Sequence, residues 1–389
     1  MGWAALSELV PLYPLYALLF TDHGLSEAQI SGLFALWSIT SVLTEVPAGV
    51  LADRWSRRGA VVLAGVLQAV AFAVWTAAPG YAAFAAGFVI WGLGGALVSG
   101  ASEALVFDGL AAAGASGSYA RVNGWMTSAE LLVQVPTALA ASALFAVGGY
   151  ALVGWASVGV CLAAAAVALR FPEAPRKTDD EDEVPLRQGV REALRSPALR
   201  WAVVAVALVG GLDAVEEYFP VMASDWGLPT SAVPVAVLSI ALAGALGAAL
   251  GGRADRLPLR WLPALLVLAA VCLAGSALWA RPPALVLTAV FYGLYLAVLV
   301  VAEARLQDRI TGPHRATITS VAGVGIEVSS LLVFAAWALG GALAVALLAV
   351  AVVPVVAAGL RVRAPVPMPR GRAAGTPSEE RPQRRGSRG

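Results

Sequence analysis

The sequence predicts an all-α membrane protein with twelve transmembrane helices arranged in two pseudo-symmetric six-helix bundles. Three observations predict this class. Hydrophobic residues make up 59% of the 389 residues and charged residues only 13%, whereas soluble domains carry about 25% charged residues. The apolar residues form runs long enough to cross a bilayer, and the basic residues are confined to alternate loops. In addition, short motifs of the first half recur in the second half.

The apolar runs define the spans. A helix needs about 20 mostly apolar residues to cross the hydrocarbon core, because every backbone polar group there must be paired within the helix. Twelve such runs are present, and Pro11 and Pro14 interrupt the first of them. The predicted spans are 3–21, 28–51, 59–78, 81–107, 121–146, 149–170, 199–221, 231–252, 259–279, 283–304, 315–339 and 341–361.

The loop charges predict the orientation. Basic residues stay on the cytoplasmic side of a membrane protein. With twelve spans, 25 of the 26 Lys and Arg residues fall on the side of both termini, and Arg281 alone falls on the other. A miscount of one span would scramble this segregation. We therefore expect a multi-pass protein of the plasma membrane with both termini in the cytoplasm.

The chain divides into four segments. Residues 1–170 form the predicted first bundle and residues 199–363 the second. Between them, 171–198 is a polar cytoplasmic linker in which Leu186, Val190 and Leu194 form a stripe beside arginines, a pattern typical of a short helix on the membrane surface. The tail, 364–389, is rich in Pro, Gly and Arg and is expected to be disordered.

Two motifs indicate an internal duplication. "GVLADR" at 49–54 recurs as "GGRADR" at 251–256, and "SEALVFD" at 102–108 recurs as "AEARLQD" at 302–308. The two offsets are nearly equal, and each motif lies at the cytoplasmic end of the corresponding span. Transporters are often built from such repeated halves.

These motifs resemble those of the major facilitator superfamily, and the resemblance covers the whole chain apart from the tail. Its signature after the second helix is matched by Gly49, Asp53, Arg54, Arg57 and Arg58, with Ser56 where Gly is usual. Within the family, the chain resembles drug-efflux members. It departs from them in having no Arg in the fourth span and "QVP" at 134–136 in place of their fifth-helix glycine pattern.

The resemblance implies a cytoplasmic gate, in which the arginines pair with acids at the ends of the fourth and tenth helices. Such a latch forms while the inner side is closed and breaks when it opens. The alternative is that these charges only anchor helix ends at the membrane interface. The remaining gate candidates are Glu103, Asp108, Asp255, Arg256, Arg260, Glu303 and Asp308.

Acidic residues inside the spans are candidates for proton coupling. A carboxylate at the bilayer centre costs about 2.5–3.5 kcal/mol on insertion scales, so we expect it to face a cavity. Asp213 and Glu217 are four residues apart, and on an α-helix they would share one face and repel each other. The alternative for each acid is a satisfied bond between helices. The coupling candidates are Glu45, Glu130, Asp213, Glu217 and Glu327.

The side chains within the spans constrain the substrate. Sugar sites need several directional donors and acceptors, but the chain has a single Asn, and Gln68 and Gln134 are the amides in the spans. Anionic substrates need a cation, which no span carries in its middle. A lipophilic or cationic molecule held by aromatic faces remains. The substrate-binding candidates are Tyr13, Tyr16, Trp37, Trp91, Gln134, Tyr218, Tyr292 and Tyr295.

The sequence therefore predicts a monomeric, alternating-access secondary transporter that exports a lipophilic or cationic small molecule in exchange for protons. Its expected partners are that substrate, protons and the lipid bilayer, with no nucleic acid, cofactor or metal. Two alternatives stay open: uptake or facilitated diffusion of a small neutral solute, and a transporter-fold sensor or scaffold. The chain lacks a His cluster, a Ser/His pair and metal-ligand spacing, so an enzyme is not expected.

Overall fold

The structure is a computed structural model that describes residues 1–173, 197–253, 261–310 and 315–360. Three predicted features lie outside the described residues: the surface helix of the linker, the tail 364–389, and the gate residues Asp255, Arg256 and Arg260. The described residues are almost entirely helical.

The first half of the molecule contains the first six spans, which match the predicted runs in order. The first span consists of two short helices, Gly2–Glu8 and Tyr16–Asp22. The second, third and fourth are Glu27–Arg54, Arg57–Ala77 and Tyr81–Ala112. The fifth and sixth are the two arms of Tyr119–Ala168, which meet at Gly148 and Gly149.

The second half contains the remaining six spans. The seventh begins as the helix Pro197–Gly211, continues as the 3-10 helix Leu212–Tyr218 and ends as the helix Phe219–Asp225. The eighth, ninth and tenth are Val233–Gly251, Trp261–Trp279 and Leu285–Arg309. The eleventh and twelfth are the two arms of Arg315–Gly359, which meet at Gly340 and Gly341.

Length and composition agree with twelve crossings. Among the described residues, nine helices are long and apolar enough to cross a membrane. Two of these, Ser116–Ala168 and Ile318–Gly359, each contain two spans folded back at a glycine pair. The first span is not among these nine helices, because it is broken into two helices of only seven residues each. The all-α fold with two six-helix bundles that the sequence predicts is thus the observed fold.

The break in the first span follows from its prolines. Pro cannot donate a backbone hydrogen bond and clashes with the preceding turn of a helix, and Pro11 and Pro14 both lie between Glu8 and Tyr16. Inside a membrane such irregular backbone persists only where protein or a water-filled cavity satisfies it. The Oγ of Ser157 on the sixth span does this for Leu12, accepting its backbone N–H at 3.0 Å.

The two halves meet through repeat-related spans. The second span packs on the eleventh. The eighth span, which corresponds to the second in the repeat, packs on the helix that contains the fifth and sixth spans. The first span packs on the seventh. Side-chain contacts between the second span and the second half involve Ser31, Phe34 and Ser38. These three residues lie in the part of Glu27–Arg54 that is remote from Arg54. We call the end that carries Arg54 and Arg57 the basic end.

Small residues allow close helix packing in the second half. A Cβ on Gly247 of the eighth span would overlap the carbonyl oxygen of Gly293 on the tenth. Glycines allow such approach in membrane helices, where van der Waals contact drives association. The close contact fixes the tenth span, and with it Tyr292, against the eighth.

Candidate functional site

A cavity of about 400 Å³ lies between the two halves. The first, second, fourth and fifth spans of the first half and the seventh, eighth and tenth of the second half contribute to its wall. The break in the first span and the 3-10 segment of the seventh face each other across it. The polar and aromatic residues of its wall are Glu8, Tyr13, Tyr16, Trp37, Trp91, Gln134, Thr137, Glu216, Glu217, Phe219 and Tyr292.

Stacked aromatic rings form one wall. Trp37 and Trp91 stack with ring centroids 4.9 Å apart, and Tyr13 stacks on Trp91 with centroids 5.6 Å apart. The amide of Gln68 donates to the Tyr13 hydroxyl at 2.6 Å and fixes that ring. Three rings held together in this way present a rigid surface to a flat or cationic group.

The 3-10 segment of the seventh span carries three acids. In a 3-10 helix, residues three apart lie above one another, so Asp213 and Glu216 share a face. Both are within bonding distance of the Tyr292 hydroxyl, at 3.2 Å and 2.7 Å. The sequence-based pairing of Asp213 with Glu217 is therefore wrong, because it assumed α-helical spacing. Glu217 instead accepts a hydrogen bond from Tyr16 of the first half.

One hydroxyl proton serves two carboxyl groups at Tyr292. A phenol carries one donor, and an ionised carboxylate only accepts. When both acids are ionised, Tyr292 can therefore donate to only one of them, Glu216 or Asp213. When one acid is protonated, that acid donates to the phenolic oxygen while Tyr292 donates to the other, and both contacts are hydrogen bonds. The geometry thus provides a place for one proton beside the cavity.

The cavity wall is acidic. Glu8, Glu216 and Glu217 contribute carboxyl groups, and none of the described residues that line the cavity is Lys, Arg or His. Sequence reasoning did not select Glu8 or Glu216 as site residues. The signal for Glu8 was its place directly before the Pro11–Pro14 break, and that for Glu216 was its place three residues after Asp213.

The other predicted coupling acids lie outside this wall. Glu45 is exposed on the second span, toward the basic end. Glu130, on the fifth span, interacts electrostatically with Glu8 without lining the cavity. Glu327 accepts a hydrogen bond from the Ser38 hydroxyl at 2.6 Å, which joins the eleventh span to the second. Asp213 lies behind the wall, against Tyr292.

Six of the eight predicted substrate-binding residues line the cavity, and Tyr218 and Tyr295 do not. Tyr218 is fully buried, stacks on Trp337 with centroids 4.0 Å apart, and is hydrogen-bonded to Ser31 across the halves at 2.7 Å. Tyr295 is also fully buried and donates to the carbonyl of Gly210 at 3.2 Å. Both rings point into helix contacts because the tenth and seventh spans turn other faces to the cavity.

The predicted gate of the first half forms a bonded network at the basic end. Arg57 pairs with Asp53 at 3.0 Å, one turn earlier in the chain, and also contacts Asp108 at the end of the fourth span. Arg58 lies 3.8 Å from Glu173, just beyond the sixth span. The network therefore ties the second, third, fourth and sixth spans, all within the first half. Glu173 was not predicted.

The other predicted gate residues are placed less closely together. Gly49 and Arg54 lie in the last two turns of the second span, and Glu103 is exposed on the fourth. In the tenth span, Glu303 and Asp308 are exposed. Their predicted partners lie outside the described residues.

Two six-helix halves around a central acidic cavity, with a broken helix facing it, define a membrane transporter. The sequence matches the Major Facilitator Superfamily over residues 3–333. The chain belongs to this family and is a multi-pass membrane transporter.

Solved transporter structures share the fold. A bacterial homologue of the human lysosomal transporter Spinster, inward-facing and unoccupied, has a TM-score of 0.69 at 16% identity, over 92% of this chain and 93% of that chain. A mutant of the nucleoside transporter NupG has 0.72 at 13% identity, over 92% and 98%. A D-xylose-proton symporter has 0.66 at 14% identity, over 91% and 95%. Among curated protein sequences, none matches this chain.

Proposed function

We propose that the protein exports a lipophilic organic cation in exchange for protons, by rocking of its two halves about the central cavity. One observation carries this proposal: a cavity between the halves combines three carboxyl groups with a wall of stacked Trp and Tyr rings, and no basic side chain lines it among the described residues. Aromatic faces and a nearby carboxylate bind a desolvated organic cation by cation–π and ionic attraction.

We assign the binding and release of the exchanged protons to the carboxyl groups around the cavity. Burial disfavours the charged form of a carboxyl group, and a nearby cation favours it. A substrate cation therefore promotes loss of a proton from Glu216, Glu217 or the Asp213–Tyr292 pair, and a returning proton promotes loss of the cation. This competition is the basis of the proposed antiport.

We assign the basic end to the cytoplasmic side of the plasma membrane, because basic loop residues stay on that side. The contacts of Ser31, Phe34 and Ser38 with the second half lie at the opposite end of the second span. Ser38 is eleven residues after Glu27, about 16 Å along a span of about 42 Å. We infer that the cavity opens toward the basic end in this conformation, and that a monomer carries out transport.

In this arrangement the arginine network acts as a brace. Arg57 is bonded to Asp53 and Asp108 although the halves are joined at the other end. Since the three residues belong to one half, the bonds persist while the halves move. The first half then rotates as one body, and the network keeps its cytoplasmic helix ends together.

The test is ethidium transport in proteoliposomes with an acidic lumen and a clamped membrane potential. We expect the parent to accumulate ethidium, and Glu217→Gln and Asp213→Asn to lose gradient-driven accumulation at least tenfold. Glu45→Gln is the matched control, because it neutralises an exposed carboxylate outside the cavity.

The other outcomes identify the alternatives. If Glu45→Gln loses gradient-driven accumulation as much as the other two variants do, Glu45 takes part in proton coupling. Parent transport that ignores the gradient would exclude antiport through these acids. Flux of neutral solutes without cation flux would favour facilitated diffusion, and no flux across a broad panel would favour a sensor or scaffold.

A further inference from the structure

A second cavity, of about 210 Å³, lies wholly within the first half. It runs between the first, third, fourth and sixth spans, and we call it the side cavity. Glu8, Tyr13 and Trp91 line both it and the central cavity, and Glu8 is the carboxyl group the two have in common among the described residues. The polar residues of the side cavity are Ser7, Glu8, Tyr13, Gln68 and Ser99.

The side cavity extends from Glu8 toward the basic end. Trp3 lines it, and the Trp3 ring packs edge-on against Phe171 with centroids 5.7 Å apart. The carbonyl of Phe171 accepts a hydrogen bond from Arg58 of the basic-end network at 3.3 Å. One extremity of the side cavity therefore adjoins the basic end, and the other holds Glu8 at the break of the first span.

The side cavity has the volume and the chemistry to hold water. A single water molecule needs a cavity of at least about 10–15 Å³, and the side cavity is far larger than that. A buried water needs two to four polar partners, and hydroxyl, amide and carboxyl groups are spread along the wall. The volume of the side cavity is about half that of the central cavity.

We propose that Glu8 is a proton-binding residue of the transport cycle, and that its proton passes to the cytoplasm through water in the side cavity while the substrate enters through the central cavity. This rests on the proposed proton-coupled export. In the step itself, the Glu8 carboxyl gives its proton to a water molecule of the side cavity, forming a carboxylate and a hydronium ion. Proton and substrate then use separate routes to the same face.

The surroundings of Glu8 are consistent with a group that is neutralised by a proton. The titratable groups that interact with it are Tyr13 on its own span, Glu130 on the fifth and Cys161 on the sixth. The third and fourth spans contribute Gln68 and Ser99 to the same cavity. None of these five residues is a cation. The Thr137 hydroxyl donates to the Val133 carbonyl of its own helix at 2.8 Å and also lies 3.3 Å from the backbone carbonyl of Glu8, which places the fifth span against the helix end that carries the carboxyl.

Two variants separate the proton route from the substrate site. Glu8→Gln removes the proton site. Gly95→Leu adds a bulky side chain at a residue that lines the side cavity, and its Cβ would meet nothing within 4 Å. Gly159→Leu is the matched control: a Cβ there also meets nothing within 4 Å, and Gly159 is exposed on the sixth span.

The readouts are gradient-driven ethidium accumulation and ethidium exchange at equal pH on both sides. We expect Glu8→Gln to lose accumulation at least tenfold, and the ethidium transport that remains to be independent of the pH gradient. We expect Gly95→Leu to slow accumulation at least fivefold with the exchange KM unchanged, and Gly159→Leu to match the parent.

Three results would overturn the assignment. If Glu8→Gln accumulates ethidium as the parent does, Glu8 carries no coupled proton, although antiport through Glu217 still stands. If Gly95→Leu behaves like Gly159→Leu, the side cavity is not the proton route. If the parent itself shows no gradient dependence, the proposed antiport fails and the role of Glu8 fails with it.

Discussion

Trp37 shows how a single ring contributes to the site. It stacks on Trp91 with an interplanar angle of 24°, and both line the central cavity. A cation over an aromatic face gains about 0.5–1 kcal/mol when exposed and about 2 kcal/mol when desolvated. The stack also immobilises Trp37, so little rotamer entropy is lost when a ligand binds.

We predict that Trp37→Ala raises the KM for ethidium transport about three- to thirtyfold, the range that corresponds to loss of one cation–π contact. Trp37→Phe keeps an aromatic face and should stay within about threefold of the parent. Trp155→Ala is the control, since Trp155 is exposed on the sixth span and does not line the cavity. Equal effects of Trp37→Ala and Trp155→Ala on KM would contradict a binding role for the stack.

At this scale, depth in the membrane was a poor guide to what a carboxyl group faces. Glu45 lies eight residues before Asp53 and Glu130 nine residues after Arg121, which predicts similar depths, yet Glu45 is exposed whereas Glu130 interacts electrostatically with Glu8. What decides the surroundings is the rotation of each helix about its axis, and an almost uniformly apolar helix carries little information about that rotation. The aromatic residues were predicted better, since five of the seven predicted aromatic residues line the cavity.

At the scale of single elements, the proline pair of the first span was a reliable signal. Pro11 and Pro14 predicted the break of the first span, and the break is present between Glu8 and Tyr16. The 3-10 segment Leu212–Tyr218 was not predicted, since no proline or glycine lies within it. It directly follows Gly210 and Gly211, which pack closely against Ile326, Ser329 and Ser330 of the eleventh span.

The glycine pairs also reveal a repeat that sequence reasoning missed. Gly149 has φ +58° and ψ −156°, and Gly341 has φ +57° and ψ −149°, each preceded by a glycine in the turn between the last two spans of its half. This backbone region is essentially confined to glycine. The two turns are therefore conformational copies, and "GG" near the end of each half was the available signal.

We predict that Gly149→Ala and Gly341→Ala each destabilise the folded protein by about 1–3 kcal/mol, the usual cost of such backbone strain. Space is not the reason, because a Cβ on Gly149 would meet nothing within 4 Å. Gly159→Ala, in a helix, should be neutral or slightly stabilising. Thermal unfolding in detergent, followed by tryptophan fluorescence, measures all three. If only one of the two turn variants lowers Tm, the turns are not equivalent.

At the scale of the whole molecule, span number and order could be predicted because bilayer thickness and loop charge constrain them independently. The packing of one half on the other could not, since it depends on which conformation the transporter adopts. The structure adds this information: Ser31 bonds to Tyr218 at 2.7 Å, Phe34 packs on Phe334 with centroids 5.7 Å apart, and Ser38 bonds to Glu327. These contacts join the two halves at the end of the second span that is remote from Arg54, and the proposed rocking requires that they separate.

Cross-linking tests whether the halves move as rigid bodies. In a background with Cys161 and Cys272 replaced by Ala, the pair Ser31→Cys and Tyr218→Cys joins the two halves, and the pair Ser56→Cys and Glu173→Cys joins parts of the first half that bond at 3.1 Å. A short bis-methanethiosulfonate reagent should abolish ethidium transport in the first pair, and reduction should restore it. The second pair should keep at least half of its activity when cross-linked, because rocking does not change distances within one half.

Variants with one cysteine of each pair control for the reagent. Transport that survives complete cross-linking of the first pair would show that these contacts between the halves need not separate, and loss of transport in the second pair would show that the first half deforms during the cycle.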